Sequence, residues 1–526
     1  MALKSLFMSA LNTTPAPAKN EANGAAYAFS SEHALAQYAA TGTFNQTFYA
    51  TPNEQLGKVS ELASRCDAEF VAKTAVYCRE KGLMKDMPAF LAASLAVRDT
   101  RLLSLVFPRV IDSGKMLRNF VQIVRSGAVG RKSFGSAPKR LCRSWFSSRT
   151  PEQIFRQSLG AAPSMKDVIK MIRPSPKDHA GVPDVQREAL YGYLVGKSVA
   201  DNALPSLVRE FKSFKSTMGD VPDVPFEMLT ALPLAPKHWA QLAKRMSFTQ
   251  LRMNLNTLHR HGVFADPAMV ELVASKLRDR EQVRRAKVLP YQLLAAFRAA
   301  HDELPQPLTL ALQEAMEIAT ENVPYVDGKV ILCPDVSGSM QSAVTGIRKG
   351  ATSAVRCIDV AALVSAAFLR RNNTAKVLPF SDDVVKMPRR LNPYDSVMSN
   401  AQYLASLPSG GTACSAPLRS LNEQRVTGDL VIYVSDNMSW ADFARAPTRG
   451  ATVMAMEWDY FRRRNPKAKL VLIDIQPYGS TQMHERADVL NVGGFSDSVF
   501  EVIARFAQSD LGPEHWVSEI KNVSLA

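Results

Sequence analysis

The sequence lacks a long hydrophobic run, and its few cysteines are not paired. The longest apolar stretch, residues 360–369, covers ten residues before Arg370, whereas a membrane-spanning helix needs about 20. Only six cysteines occur in 526 residues, and no two of them form a Cys-x-x-Cys pair. These absences argue against a membrane protein, a disulfide framework and a zinc finger, and they predict a cytoplasmic location.

The beginning of the chain also lacks a clear hydrophobic segment. Residues 1–8 carry Lys4, and Ser5 interrupts their short apolar part. We interpret them as a fraying terminus, with a secretory signal as the alternative. Residues 12–26 are rich in Pro, Ala and Asn, a composition typical of flexible segments, and we predict that residues 1–27 are flexible.

Acidic residues are absent from one basic segment. The net charge is +15; residues 1–325 hold 42 basic and 29 acidic side chains, whereas residues 326–526 hold 22 and 20. Residues 113–151 contain nine basic residues and no acidic one. Because like charges repel on a folded surface, this segment favours a polyanion-binding surface such as one for RNA. A solvated surface is the alternative. The candidate phosphate contacts are Arg118, Arg131, Lys132, Lys139, Arg140 and Arg143.

Aromatic residues are interleaved with these arginines and lysines. They are Phe120, Phe134, Trp145 and Phe146. Exposed rings could stack on unpaired bases. Phe120, however, falls on a helical apolar stripe with Met116 and Val124, and this periodicity predicts a core residue.

The two parts of the chain differ in periodicity. Residues 30–320 predict consecutive helices joined by Pro- and Gly-containing connections, which is typical of a solenoid of paired helices. Beyond residue 323, five short apolar runs alternate with helical segments and predict a mostly parallel sheet covered on both faces. The runs are 330–333, 376–380, 430–434, 470–475 and 489–492. The expected boundary lies near residue 325, between domains 28–325 and 326–526.

Carboxylate and hydroxyl side chains occur on three predicted loops of this part of the chain. Asp335, Ser337 and Ser339 form an Asp-x-Ser-x-Ser sequence after the first strand. Thr412 lies on a glycine-rich loop, and Asp436 follows the run 430–434. Ligands of parallel sheets bind at the carboxyl ends of the strands, and these oxygens are donors that Mg²⁺ prefers. The pattern predicts one divalent cation site; ordinary turn chemistry is the alternative.

This set of residues resembles the metal-ion-dependent adhesion site of von Willebrand factor A domains. The resemblance implies a Rossmann-like α/β domain that binds Mg²⁺ or a similar cation. It also implies that an acidic residue of a partner protein completes the coordination.

The whole chain resembles the Ro 60 kDa autoantigen family of TROVE-domain RNA-binding proteins. The resembling segments are residues 23–27, 48–50, 286–294, 333–340 and 434–440. The resemblance implies a multidomain fold, an all-α ring of HEAT-like helical repeats closed by the A-type domain, and a monomer without catalytic activity. It further implies binding of misfolded or structured non-coding RNA, with single-stranded 3′ ends in a basic central hole and Y-type RNA outside. An exoribonuclease is the implied partner in RNA quality control, maturation or decay.

Two motifs of this family are altered here. Met165 stands where the family has the histidine of its His-[KR]-Asp motif, but Lys166 and Lys170 keep that helix basic. The family's Arg-Asn-Leu motif is replaced by residues 253–255, with Arg252 one position early, about 100° away on a helix. By the resemblance, Lys166, Lys170 and Arg252 are further RNA contacts.

Two functions are therefore expected. The first is a non-catalytic RNA-binding scaffold, and the alternative is a metal-dependent module that recruits an acidic partner. An enzyme is not expected, because Ser337 has no evident histidine partner and no Gly-x-Ser-x-Gly elbow around it. His259 and His261 are two positions apart, which directs their rings apart on a helix and does not fit a zinc site.

Overall fold

The computed structural model describes residues 14–525 except 43–49, 161, 179, 287, 289, 300–303, 322, 345–354, 443–450, 477, 495–496, 510 and 512–513. The expected fraying terminus 1–8 and parts of segments 48–50 and 286–294 lie outside the described residues. The chain forms two compact units. The sheet unit comprises Met1–Cys66, Arg278–Ala299 and Leu310–Asn522, and the helical unit comprises Asp67–Leu277, Ala300–Thr309 and Val523–Ala526. The sequence predicts a single boundary near residue 325, whereas the sheet unit also includes residues from the first part of the chain.

The described elements agree with the prediction that helices dominate the first part of the chain and that strands alternate with helices in the second part. The strands are β1 (Ala18–Lys19), β2 (Ala25–Ala28), β3 (Val330–Pro334), β4 (Lys376–Val377), β5 (Leu430–Ser435), β6 (Lys469–Asp474), β7 (Ser480–Thr481) and β8 (Val489–Gly493). The helices are α1 (Ser31–Thr41), α2 (Pro52–Arg65), α3 (Ala68–Glu80), α4 (Asp86–Arg98), α5 (Thr100–Val110), α6 (Gly114–Ser126), α7 (Ser136–Ser147), α8 (Pro151–Arg156), α9 (Met165–Ile172), α10 (Val185–Val195), α11 (Ser206–Thr217), α12 (Pro236–Arg245), α13 (Phe248–Arg260), α14 (Pro267–Arg278), α15 (Arg280–Ala286), α16 (Pro290–Ala299), α17 (Gln306–Ala319), α18 (Cys357–Arg371), α19 (Val397–Ala405), α20 (Ala416–Glu423), α21 (Val453–Arg464), α22 (Asp497–Ala507) and α23 (His515–Lys521).

The sheet unit is built on five parallel strands in the order β4-β3-β5-β6-β8. Each of the five apolar runs predicted from the sequence overlaps one of these strands. Every residue of β3, β5 and β8 is buried, as expected for a parallel sheet with both faces covered. Leucine and aromatic side chains of α20 and α21 pack on one face, and α18 contacts β3 and β5. The α/β fold predicted for this part of the chain is confirmed.

A second sheet involves the segment that the sequence predicts to be flexible. β1 pairs antiparallel with β2, and β2 pairs with β7. The Asn20 side chain donates to the Ser439 carbonyl at 2.9 Å and is 5% exposed. Residues 14–27 are thus ordered by pairing with a strand more than 450 positions away, which local composition does not reveal.

No helix among the described residues is long and apolar enough to cross a bilayer.

The helical unit is held by apolar stripes and by a buried arginine. On α6, Met116, Phe120 and Val124 lie on one buried face, as their spacing predicts. Arg187 on α10 is 3% exposed and donates to the carbonyl oxygens of Phe146 at 2.7 Å and Arg149 at 2.8 Å. These hydrogen bonds connect α10 to the end of α7.

An ionic cluster fixes the beginning of α18 in the sheet unit. The Asp359 carboxylate accepts hydrogen bonds from the Arg356 backbone amide at 2.8 Å and from the guanidinium groups of Arg356 and Arg298. Burial alone would raise the pKa of Asp359, but the two arginines lower it below the ordinary value. The carboxylate is therefore stabilised in its charged form at neutral pH.

Candidate functional site

The predicted cation-binding residues lie on loops beyond β3 and β5 and on the glycine-rich loop. All are buried: the exposed fractions are 0% for Asp335 and Ser337, 6% for Ser339, 1% for Thr412 and 2% for Asp436. The Asp335 Oδ1 atom accepts a hydrogen bond from the Ser337 backbone amide at 2.8 Å. The Oγ atoms of Ser337 and Ser339 are 3.3 Å apart, and the Ser339 hydroxyl also interacts with the Asp436 carboxylate.

Backbone hydrogen bonds bring the third loop to the same edge of the sheet. The Gly338 amide donates to the Gly410 carbonyl at 2.9 Å. The amides of Trp440 and Ala441 both donate to the Thr412 carbonyl at 3.0 Å. The three loops carrying Asp335, Thr412 and Asp436 are thus directly connected, as the sequence predicts.

Buried side chains reinforce the connection between the loops of Thr412 and Asp436. The Ser439 hydroxyl donates to Asp442 at 2.8 Å and accepts from the Cys414 amide at 3.0 Å. The Ser415 hydroxyl donates to Asp442 at 2.5 Å. This network holds the two loops in one arrangement.

The electrostatics of this site favour a bound cation. Burial, followed by the charge of Asp436, raises the pKa of Asp335 to about 7. Burial also raises the pKa of Asp436. Neither carboxylate forms an ion pair with a basic side chain in the described part of the chain. Since an unpaired buried charge is costly, these oxygens fit a divalent cation.

The side-chain atoms available at this site are also of the kind that hard cations prefer. No three His, Cys, Asp or Glu side chains among the described residues are grouped so that they could hold a metal ion together. A site here must therefore use the serine and threonine hydroxyls beside the two carboxylates. Mg²⁺ takes such oxygen ligands and commonly keeps several waters.

The predicted RNA contacts occupy different environments in the helical unit. Lys132, Arg140, Arg143, Lys166 and Lys170 are exposed. Lys139 is half-buried on α7. The five exposed side chains form no ion pair with another described residue, so they remain predicted anion contacts.

Three of the predicted arginines are less available to a ligand. The Arg118 guanidinium is partly buried against Gly160, and burial lowers its pKa. Arg131 donates to the Ser133 carbonyl at 2.7 Å and to the Ala96 carbonyl of α4 at 3.2 Å, contacts that hold its loop against this helix. Arg252 on α13 is only 9% exposed. These positions favour structural roles for the three residues.

The idea that the interleaved aromatic rings stack on bases is not supported for three of the four. Phe120 and Phe146 are fully buried, and Trp145 is 3% exposed. The guanidinium of Arg149 lies 3.9 Å from the centre of the Trp145 ring. A helical stripe that includes Cys142, Trp145 and Phe146 explains this burial, and its spacing of three and four residues was a signal for it.

The structure also adds basic residues that the sequence interpretation did not include. The Arg143 Nε atom donates to the Ile172 carbonyl at 2.9 Å, which places α7 beside the end of α9. There, a groove of about 830 Å³ is lined by three basic residues, Lys170, Arg173 and Lys197, by one acidic residue, Glu188, and by mostly apolar side chains. We call Arg143, Lys170, Arg173 and Lys197 the basic surface. Their separation in sequence concealed this grouping.

Comparisons with known proteins agree with both parts of this architecture. A family model described as the Ro60 vWA domain matches residues 329–507, and the TROVE domain model matches residues 228–349. The chain is also 25% identical to a Deinococcus radiodurans protein over 534 residues, covering 94% of this chain and 96% of that protein. The chain carries a TROVE domain and a Ro60-type vWA domain. The D. radiodurans relative is named RNA-binding protein RO60.

Two further similarities connect this chain to known proteins. A Caenorhabditis elegans protein, also named RNA-binding protein RO60, is 25% identical over 275 residues, which cover 50% of this chain and 40% of that protein. The crystal structure of the D. radiodurans Ro (Rsr) protein matches with a TM-score of 0.61 and 21% identity. It covers 92% of this chain and 100% of the matched chain. This structural match establishes the fold.

Proposed function

We propose that the chain is a non-catalytic, RNA-binding scaffold of the Ro type. The observation that carries the proposal is the basic surface, which four exposed cationic side chains form without an ion-pair partner among the described residues. Such unpaired cations gain affinity by releasing counterions from phosphates. The names of the D. radiodurans and C. elegans relatives support the same ligand class.

The arrangement of the basic surface suits structured RNA. Lys170, Arg173 and Lys197 border the groove, while Ile169, Pro174 and Val199 supply apolar lining. Cationic groups beside an apolar wall can hold a phosphate and cover the face of an unpaired base. We therefore propose that a structured or misfolded non-coding RNA with a single-stranded 3′ end is the ligand.

The wider role rests on the resemblance to Ro-type proteins. We propose that the protein acts in RNA quality control, maturation or decay, as a monomer in the cytoplasm with an exoribonuclease as partner. A Y-like RNA is a second possible ligand of its outer surface. All six cysteines are buried free thiols rather than disulfides, which supports a reducing compartment.

Binding of the protein to two hairpin RNAs that differ only in their 3′ end tests this function. One hairpin is blunt and the other has a single-stranded 3′ tail, and affinity for each is measured between about 50 and 300 mM salt. We expect tighter binding of the tailed form and a fall of several orders of magnitude in affinity as salt rises. Equal, weak binding of both forms at low salt would refute the proposal.

We also propose that Mg²⁺ binds the candidate cation site and that this edge of the sheet recruits an acidic protein partner. Trp440 supports this second function. It follows the Asp436 loop, is 48% exposed and lies against Gly411, where a side chain would collide with its ring. A rigid, exposed tryptophan beside an anion-accepting metal ion has the features of an interface anchor.

Two substitutions separate the two functions. Asp335→Ala should abolish Mg²⁺-dependent capture of a peptide that carries an acidic and an apolar residue, while RNA affinity stays within about twofold of the wild-type value. Trp440→Ala should weaken capture of the peptide without affecting Mg²⁺ binding. Loss of RNA binding in both variants would contradict the assignment of RNA binding and partner binding to separate sites.

A further inference from the structure

Strand β6 ends in a carboxylate that the cation-site pattern does not include. Asp474 is the last residue of β6 and is 3% exposed. It pairs with Ser435 on β5. Ser435 directly follows Val434, which pairs with Pro334 on β3. The register therefore places Asp335, Ser435 and Asp474 in one row across three neighbouring strands.

Residues in such a row project from the same face of a parallel sheet. The Ser435 hydroxyl donates to the Asp335 Oδ2 atom at 2.6 Å, so this face is the one that holds the cation-site carboxylate. Neighbouring strands are about 4.8 Å apart, and the Cα atoms of Asp335 and Asp474 are thus about 10 Å apart. Two side chains and an intervening water can bridge that separation.

Asp474 also has an unmet hydrogen-bonding requirement. Its Oδ1 atom is buried and has no hydrogen-bond partner among the described residues, and the same is true of the Oε1 atom of Gln476, which is 1% exposed. The other side-chain atom of Gln476, Nε2, contacts the Cys357 sulfur at 2.9 Å. Buried acceptors of this kind are normally satisfied by protein, water or an ion.

No basic side chain neutralises Asp474 within the part of the chain that the structure describes. Burial and then the charge of Asp436 raise the pKa of Asp474 well above its ordinary value. The influence of Asp436 shows that the two carboxylates are electrostatic neighbours. Their mutual repulsion is relieved when a cation lies beside them.

We propose that Asp474 is a further residue of the cation site, where its carboxylate accepts hydrogen bonds from water bound to the ion and adds negative charge. Contact through water agrees with the lack of a direct three-carboxylate cluster among the described residues. The inference rests on the cation site of the proposed function. Asp474 is a positioning residue, and its effect on affinity should increase with the charge of the ion.

Asp474→Asn tests the inference with Mn²⁺ and Tb³⁺ as separate probes. Titration calorimetry measures Mn²⁺ binding by the full chain, and sensitised luminescence measures Tb³⁺ binding. We expect about a tenfold loss of Mn²⁺ affinity and a larger loss of Tb³⁺ affinity, because the attraction is proportional to ionic charge. The matched control is Asp429→Asn, which removes an exposed carboxylate just before β5, at the opposite end of the strand, and should leave both affinities within about twofold.

The possible results are distinguishable. Unchanged affinity of Asp474→Asn for both ions would overturn the role of Asp474, provided that the wild-type protein binds them and Asp335→Asn does not. No cation binding by the wild-type protein would overturn the cation site itself. The metal-free Asp474→Asn protein should unfold at a temperature no lower than the wild type, because it lacks an uncompensated buried charge. A lower unfolding temperature would identify a purely structural role and refute the inference.

Discussion

Removal of three charges from the basic surface should change the salt dependence of RNA binding by a calculable amount. The variant carries Lys170→Ala, Arg173→Ala and Lys197→Ala, which are exposed residues on the rim of the groove. Each phosphate contact contributes about 0.7 to 0.9 to the slope of log affinity against log salt. Loss of three contacts should therefore reduce the slope by about 2.1 to 2.7. Between about 50 and 200 mM salt, the wild-type affinity should fall about 20- to 40-fold more than that of the variant.

Fluorescence anisotropy with the 3′-tailed hairpin measures this difference. The control variant carries Arg463→Ala, Arg464→Ala and Lys467→Ala, which remove three exposed charges from the sheet unit. It has the same net charge as the first variant and should keep the wild-type slope. Equal slopes for all three proteins, or a loss confined to the control variant, would refute the assignment of the basic surface.

Three further predictions concern the cation and the stability of the two units. Saturation with Mg²⁺ at about 100 times its dissociation constant should stabilise the wild-type protein by about 2.7 kcal/mol, and thermal unfolding of Asp335→Asn should show no such gain. Arg187→Met should cost about 3 kcal/mol in urea unfolding, because it leaves two buried carbonyl oxygens without their donor; a loss below about 0.5 kcal/mol would contradict this reasoning. The lowered pKa of Asp359 gives stability that is present above its unfolded-state pKa and is lost as the pH falls through its folded-state value; acid unfolding of Asp359→Asn should lack this loss, and an unchanged profile would contradict it.

The sequence was most informative where burial extends along a whole element. The runs at 330–333 and 430–434 are strands because both faces of a parallel sheet select continuous apolar residues. The stripe of Met116, Phe120 and Val124 likewise determines one buried helix face. These signals are local, so a single sequence contains them.

Features that depend on contacts between distant parts of the chain were harder to predict from the sequence. β2 is the short segment Ala25–Ala28, and its partner β7 lies far along the chain. Arg173 and Lys197 join Arg143 only after α7, α9 and α10 have packed. Arg252 was expected to contact RNA by the family resemblance, yet tertiary packing leaves it only 9% exposed.

The candidate cation site shows the same distinction. Asp335, Ser337 and Ser339 were recognisable because three donors occur within five residues after a strand. Asp474 stands alone at the end of β6, and only the register that aligns it with Ser435 relates it to the site. A search for patterns along the sequence cannot detect that relation.

Cross-linking of RNA to the full chain tests the central claim most directly. A hairpin with 4-thiouridine in its single-stranded 3′ tail is irradiated in complex with the protein, and cross-linked peptides are identified by mass spectrometry. We predict cross-links in α7, in α9 with Arg173, and around Lys197. Cross-links confined to peptides of the sheet unit, with none in these segments, would contradict the proposal that the basic surface holds the RNA.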